Sequence, residues 1–102
     1  MPAEEAMLLA QAESDFLRLY AEVENRTPGR GDSFSDEIEK LLELLRHMPR
    51  LGRTVGAPYR RLKMGRFQYS LIYSVEGNRV LVHTIASNYD SLETLLFRLR
   101  QR

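Results

Sequence analysis

The first clear period in the chain is helical. A short apolar run, Met7 to Ala10, suits an edge strand and a first helical turn equally; Phe16, Leu17, Tyr20 and Val23 then recur at helical spacing as far as Asn25, with Ser14 as the expected N-cap. Thr27-Pro28-Gly29-Arg30-Gly31 interrupts that period with the residue types turns require. A second amphipathic helix is predicted beyond it, capped by Asp32, Ser33 or Ser35 and acidic in its first turn. Its apolar stripe is Phe34, Ile38, Leu41, Leu42, Leu45 and Met48, and Pro49 stops it. Two helices joined by so short a loop form a hairpin whose stripes need a further surface to cover them.

The period changes to two after Pro58. Residues 51–58 read as a loop, and residues 59–64, 67–75 and 79–86 read as strands. Gly77-Asn78 supplies a two-residue turn that sets Val75 opposite Val80, Tyr73 opposite Val82, Leu71 opposite Thr84 and Tyr69 opposite Ala86. Those eight residues share the face assigned to the helices. Gln68, Ser70, Ile72, Ser74, Leu81, His83 and Ile85 share the other, assigned to a partner or to the chain's own C-terminus; a slip of one residue would exchange the two faces. In the first of these strands Leu62 and Met64 point toward the helices and Arg61 and Lys63 away, while Arg60 lies on the helical side or at the sheet edge. Residues 88–102 read as a helix capped at Asp90 or Ser91, with Leu92, Leu95, Leu96 and Leu99 as its stripe and Arg98, Arg100 and Arg102 complementing its dipole. The expected fold is α+β, a helical hairpin packed on a small twisted antiparallel sheet with a C-terminal helix. A single domain is expected to span residues 1–102.

Composition adds limits. At 43% hydrophobic and 28% charged residues, the 102-residue chain has the make-up of a folded globular protein with one core. It lacks cysteine, which excludes a disulfide framework and thiolate zinc ligation. No apolar run is long enough to span a membrane, and Glu4 and Glu5 stand where a signal peptide would be basic, so a cytoplasmic protein without membrane association is expected. The net charge of +1 hides a polarity. Residues 1–48 hold five Lys/Arg against eleven Asp/Glu, and residues 49–102 hold ten against three. A basic half of this kind attracts an anionic partner. Arg60, Arg61, Lys63 and Arg66 crowd the approach to the sheet; rigid support there suits anion recognition, although charges on an exposed strand also discourage edge-to-edge aggregation.

Few groups are equipped for catalysis. His47 and His83 are the only histidines, and no carboxylates stand at metal-ligand spacing, so neither a metal nor a cofactor is expected. His47 reads as a helix C-terminal cation, and His83 as a proton carrier or a packing residue. Phosphate-binding glycine loops and the nucleophile-elbow motif are missing. What remains is the cations with Tyr89. Cleavage of a phosphodiester by its 2′-OH needs cations to stabilise a phosphorane and a proton carrier, roles that Arg61 and Tyr89 could fill.

Several runs, taken in order, resemble a known family: Thr27-Pro-Gly-Arg-Gly-Asp-Ser-Phe34, Met48-Pro-Arg-Leu-Gly52, Tyr59-Arg-Arg-Leu62, and Arg66-Phe-Gln-Tyr-Ser-Leu-Ile-Tyr-Ser-Val-Glu-Gly-Asn-Arg-Val80. They are similar to the ParE/RelE superfamily of toxins from bacterial type II toxin-antitoxin modules, most closely its ParE-like plasmid stabilisation branch, over residues 12–86. The resemblance implies a growth-inhibiting toxin held inactive by an antitoxin that wraps it with an extended or helical segment, as a hetero-oligomer or beside a toxin homodimer. In the ParE branch the target is DNA gyrase and no catalytic set is required. In the ribonuclease branch, basic sheet residues and a Tyr or His after the last strand act on mRNA at the ribosome; the matching positions are Arg61, Lys63, Arg66 and Tyr89, with Arg61 and Tyr89 as the catalytic pair. Where the family often has His, Arg-Arg and an aromatic residue after the last strand, this chain has Ala86-Ser-Asn-Tyr-Asp90, and Gln68 replaces a frequent Pro. The expected binding positions are Arg61, Lys63, Arg66, His83 and Arg98. Three readings follow: first a gyrase-inhibiting toxin, then a ribosome-dependent mRNA endoribonuclease, then a non-toxic interaction protein on the same fold. Whether the chain is an enzyme stays open among them.

Overall fold

The computed structural model describes residues 2–101. Strand β1 (Glu5–Leu8) leads directly into α1 (Ala10–Arg26), so the ambiguous run Met7 to Ala10 is strand at its start and helix at its end. Ser14 therefore lies inside the first helix, and Leu9, at the N-cap, makes no side-chain capping bond. The buried positions of α1 are Ala12, Asp15, Leu19 and Val23, with Phe16 and Tyr20 half-buried beside them. Leu17, expected on this stripe, is 64% exposed.

Helix α2 (Arg30–His47) begins two residues before the earliest expected cap, because the cap comes from the other helix. Gly29 turns the chain in the left-handed region at φ 90°. The Glu24 carboxylate, on α1, then accepts from the Gly29 amide at 2.9 Å and the Gly31 amide at 3.0 Å. This supplies both the hydrogen-bond acceptor and the negative charge that a helix N-terminus favours. Phe34, Ile38 and Leu45 are buried along the inner stripe as expected, whereas Met48, just past the helix, is 52% exposed. Phe34 is the hub. It stacks on Phe16 with ring centroids 5.8 Å apart, and Phe67 and Tyr69 meet it edge-on at 5.3 and 6.0 Å.

The sheet has five strands in the order β1-β5-β4-β3-β2, where β2 is Arg53–Thr54, β3 Tyr59–Lys63, β4 Tyr69–Glu76 and β5 Arg79–Ser87. Strands β2 to β5 form the expected antiparallel sheet, to which β1 adds a parallel edge along β5, making the whole mixed. The two-residue β2 falls inside the stretch expected to be loop. The β4–β5 hairpin turns at Gly77, whose φ of 62° meets the demand of a II′-type turn at its first central position.

Val75 faces Val80 and Tyr73 faces Val82, as alternation predicts. The next β4 residue, Ile72, faces Thr84, so His83 is the extra residue of a β-bulge. The expected pairs Leu71–Thr84 and Tyr69–Ala86 are therefore replaced by Leu71–Ile85 and Tyr69–Ser87. Ile85 turns into the hairpin core, and Ala86 turns to the opposite face. There α3 (Leu92–Arg100) covers Ile72 and Ala86 with Leu95 and Leu99, so the chain's own C-terminal helix closes this side. Ser91 caps α3 by accepting from the Thr94 amide at 3.1 Å. Leu92, placed on the stripe by its spacing, is 41% exposed.

Tyr73 locks the segment between α2 and β2 to the sheet. Its buried hydroxyl donates to the Pro49 carbonyl and accepts from the Gly52 amide, both at 2.8 Å. Gly52 has to be glycine here, since a methyl group would sit 2.7 Å from that hydroxyl. Burial raises the Tyr73 pKa above the ordinary 10.0, against smaller lowering effects from the Gly52 hydrogen bond and the Arg60 charge. Two outcomes are expected. Tyr73→Phe leaves two buried backbone groups without a partner and should cost about 2 kcal/mol in denaturant unfolding. The raised folded pKa also means that this contribution is complete below the ordinary value and is lost as pH rises through the folded one. Wild-type stability should accordingly fall in the alkaline range above pH 10.0 by a component that the Phe variant lacks. Ile85→Asp tests the bulge. It should abolish folding by burying an unpaired charge in the core between hairpin and sheet, where the bulge places residue 85.

Candidate functional site

The cations expected to act together divide between two places. Arg61 and Lys63 lie on the α3 side of β3, opposite Ile72 and Ser70 of β4. Arg60 shares the other parity, opposite Tyr73, and donates to the carbonyls of Arg50 and Gly52 at 3.2 and 2.8 Å. Arg66 belongs to neither face. It stands in the β3–β4 loop and lines a cleft at the tip of the helical hairpin with Arg26 and Arg30.

Arg61 is half-buried and makes two hydrogen bonds. Its Nε donates to Ser70 Oγ at 3.2 Å, and its Nη2 donates to the Ser87 carbonyl at 3.1 Å. Ser70 in turn donates to Asn88 Oδ1, and the Asn88 amide donates to the Gln68 carbonyl at 2.9 Å. One guanidinium thus ties β3, β4 and the end of β5 together at the root of the loop that carries Tyr89. Tyr89 itself is 81% exposed, and among the described residues nothing bonds its hydroxyl. Its amide donates to Ser87 Oγ at 3.1 Å, which fixes the turn and leaves the ring outside.

Arg98 is paired across the same loop, 2.8 Å from Asp90. His83 stands at the bulge, its Nε2 2.8 Å from Ser74 Oγ and its ring edge-on to Tyr59 with centroids 5.2 Å apart. It is a packed residue on the α3 side of the sheet. His47 ends α2, with Nε2 3.0 Å from a Glu43 oxygen. Glu43 is held below the ordinary carboxylate range, chiefly by its hydrogen bonds from Arg46.

The residue that the sequence reading missed is Asp15. Only 5% exposed, it accepts from the Ile85 amide at 3.1 Å, from Thr84 Oγ1 at 2.5 Å and from Gln11 Nε2 at 2.9 Å, with Arg18 at 3.5 Å. Its signal was available: a carboxylate three residues after Ala12 and four before Leu19 sits on the buried stripe of α1. Arg26 and Arg30 were passed over because their meeting with Arg66 depends on the tertiary fold.

The α+β fold thus places a helical hairpin on one face of a small sheet and a short helix on the other. A family model for the ParE toxin of the type II toxin-antitoxin system, parDE, matches residues 7–88, and the chain belongs to that family. The match takes in the end of β1 and stops before α3. Among solved structures, a chain of the chromosomal ParDE TA system from P. aeruginosa is similar in fold, with a TM-score of 0.71 at 16% identity, over 81% of this chain and 94% of that one. No curated protein matches the sequence. Among the described residues, no helix is long and apolar enough to cross a membrane.

Two substitutions separate support from contact. Arg61→Ala should lower thermal stability, since it frees Ser70 and leaves the Ser87 carbonyl short of a donor, while Lys63→Ala on exposed strand should change it by no more than about 0.5 kcal/mol. Asp15→Ala should cost about 2 kcal/mol or more, because the buried Ile85 amide loses its acceptor. Thermal melts of the three variants beside the wild type make the comparison.

Proposed function

We propose that the chain is a growth-inhibiting toxin that binds and inhibits DNA gyrase in the cytoplasm and is neutralised by a cognate antitoxin. Membership of the ParE toxin family supports the toxin role and, through the resemblance set out above, the choice of gyrase. The observation that carries action by contact is the state of the two residues a nuclease would need. Tyr89 is 81% exposed and, among the described residues, nothing bonds its hydroxyl, while the Arg61 guanidinium is anchored by Ser70 and the Ser87 carbonyl within the sheet. A phosphorane-stabilising arginine should point at the scissile phosphate, and a tyrosine proton carrier needs cations around it.

The antitoxin reading draws on charge and on an open edge. Among the described residues, β2 pairs only with Arg60 and Arg61, so Lys63 lies beyond its end, and the outer edge of β2 has no neighbouring strand. An acidic extended segment could continue the sheet there, meeting Lys63 by charge and β3 by backbone hydrogen bonds.

Induced expression in a bacterial host, with DNA supercoiling, DNA breaks and mRNA integrity followed in one culture, tests the reading. Growth arrest should come with altered supercoiling or breaks while mRNA stays intact. Tyr89→Phe should leave the arrest nearly unchanged, where loss of a general acid or base would cost roughly 10²–10⁴-fold in turnover. Arrest with cleaved mRNA that Tyr89→Phe abolishes would establish the ribonuclease instead, and no arrest at all would favour a non-toxic interaction protein.

A further inference from the structure

We propose that the cleft at the tip of the helical hairpin is a phosphate-binding site, distinct from the β3 surface. Arg26 in the last turn of α1, Arg30 in the first turn of α2 and Arg66 in the β3–β4 loop line a cleft of about 330 Å³, joined by Thr27 and Gln68. Among the described residues, no carboxylate lines it. Arg18, Arg46, Arg79 and Arg98 each have a carboxylate within 4 Å; among the described residues none of the three cleft arginines does.

The walls of the cleft are held in place. Arg30 donates to the Arg66 carbonyl at 3.0 Å and lies over the Phe67 ring at 4.6 Å from its centroid, while the Arg66 amide donates to Glu37 at 3.3 Å. The loop carrying Arg66 is thereby tied to α2 from both sides. The carboxylates on the hairpin are turned to other work: Glu24 caps α2, and Asp32 accepts from the Tyr20 hydroxyl at 2.8 Å.

The lining also selects the kind of ligand. Val23 and Phe67 are buried at 6% and 8% exposure, and Arg30 covers the face of Phe67. Half-buried Tyr69 is the other ring in the lining, so the cleft offers little apolar surface beside its three guanidinium groups. Recognition rests on charge and hydrogen bonds. A phosphate group presents several oxygens around one centre and can accept from three guanidinium forks, whereas a carboxylate offers two coplanar oxygens. The phosphate can belong to a nucleic-acid backbone or be a free anion.

Backbone-amide NMR titration of the whole chain, first with inorganic phosphate and then with a short mixed-sequence single-stranded DNA, tests the site. Shifts should concentrate at residues 26–31 and 65–69. The double substitution Arg26→Gln with Arg66→Gln, both on exposed side chains, should weaken binding roughly tenfold or more, as expected for lost charge-assisted hydrogen bonds. Arg50→Gln with Arg53→Gln removes the same charge near β2 and should leave binding unchanged. A response to phosphate assigns the site to free anions as well; a response to DNA alone assigns it to the backbone, and both support the proposal. No shifts in the cleft, equal losses in the two double variants, or tighter binding of a glutamate-rich peptide than of the DNA would overturn it.

Discussion

The carboxylate of Asp15 holds the point on which the two faces of the sheet turn. Strand β1 ends opposite Val82, and beyond it the edge of β5 would be left without a neighbour just where the strand bulges. α1 crosses that gap, and Asp15 takes the Ile85 amide and the Thr84 hydroxyl that no strand reaches. A buried carboxylate is costly unless its lone pairs are filled. Here Gln11 and Arg18 supply further partners, so the group serves as a polar peg between helix and bulge. With the bulge held, Ile85 enters the hairpin core and Ala86 faces the other way, giving each side of the sheet an apolar set.

The rest of the site inherits this geometry. β5 reaches Ser87 in the register that brings its carbonyl to Arg61, and the chain then leaves the sheet through Asn88, which Ser70 and Gln68 hold. Tyr89 is left outside by that turn. α3 packs back over Ile72 and Ala86. Nine residues are too few to be stable as an isolated helix, so the order of α3 depends on its packing, chiefly on burial of Leu95 and Leu99, worth roughly 1.5–3 kcal/mol each by area. The result is a rigid sheet with mobile-length cations at its margins, Lys63 on one edge and Arg26 and Arg66 at the hairpin tip. Such a surface is suited to gripping anionic partners, which is the common thread of the proposed antitoxin contact and the proposed phosphate site.

Features built from local periodicity were legible in the chain. The apolar stripe of α2, the Gly77 turn, the parity of β3 and the Ser91 cap all follow from neighbours within a few residues, and all are found. What escaped depends on distant partners. The α2 cap is Glu24, reaching across from another helix; β1 and β2 are short and exist through pairing with β5 and β3. The bulge at His83 carries no glycine or proline to mark it, and Val80 to Ala86 alternates plausibly in either register. The placement of Arg66 was illegible for the same reason: parity placed Arg61 and Lys63, but the position of Arg66 depends on the loop tied to Glu37 and Arg30.

The central functional claim is that this fold acts by contact and not by cleaving RNA. A supercoiling assay with purified gyrase, relaxed plasmid and the purified chain, run with a labelled mRNA and ribosomes in the same tube, puts both activities in competition. The account predicts that supercoiling falls as the chain is added while the mRNA remains whole. Undiminished supercoiling with progressive cleavage of the mRNA would contradict it.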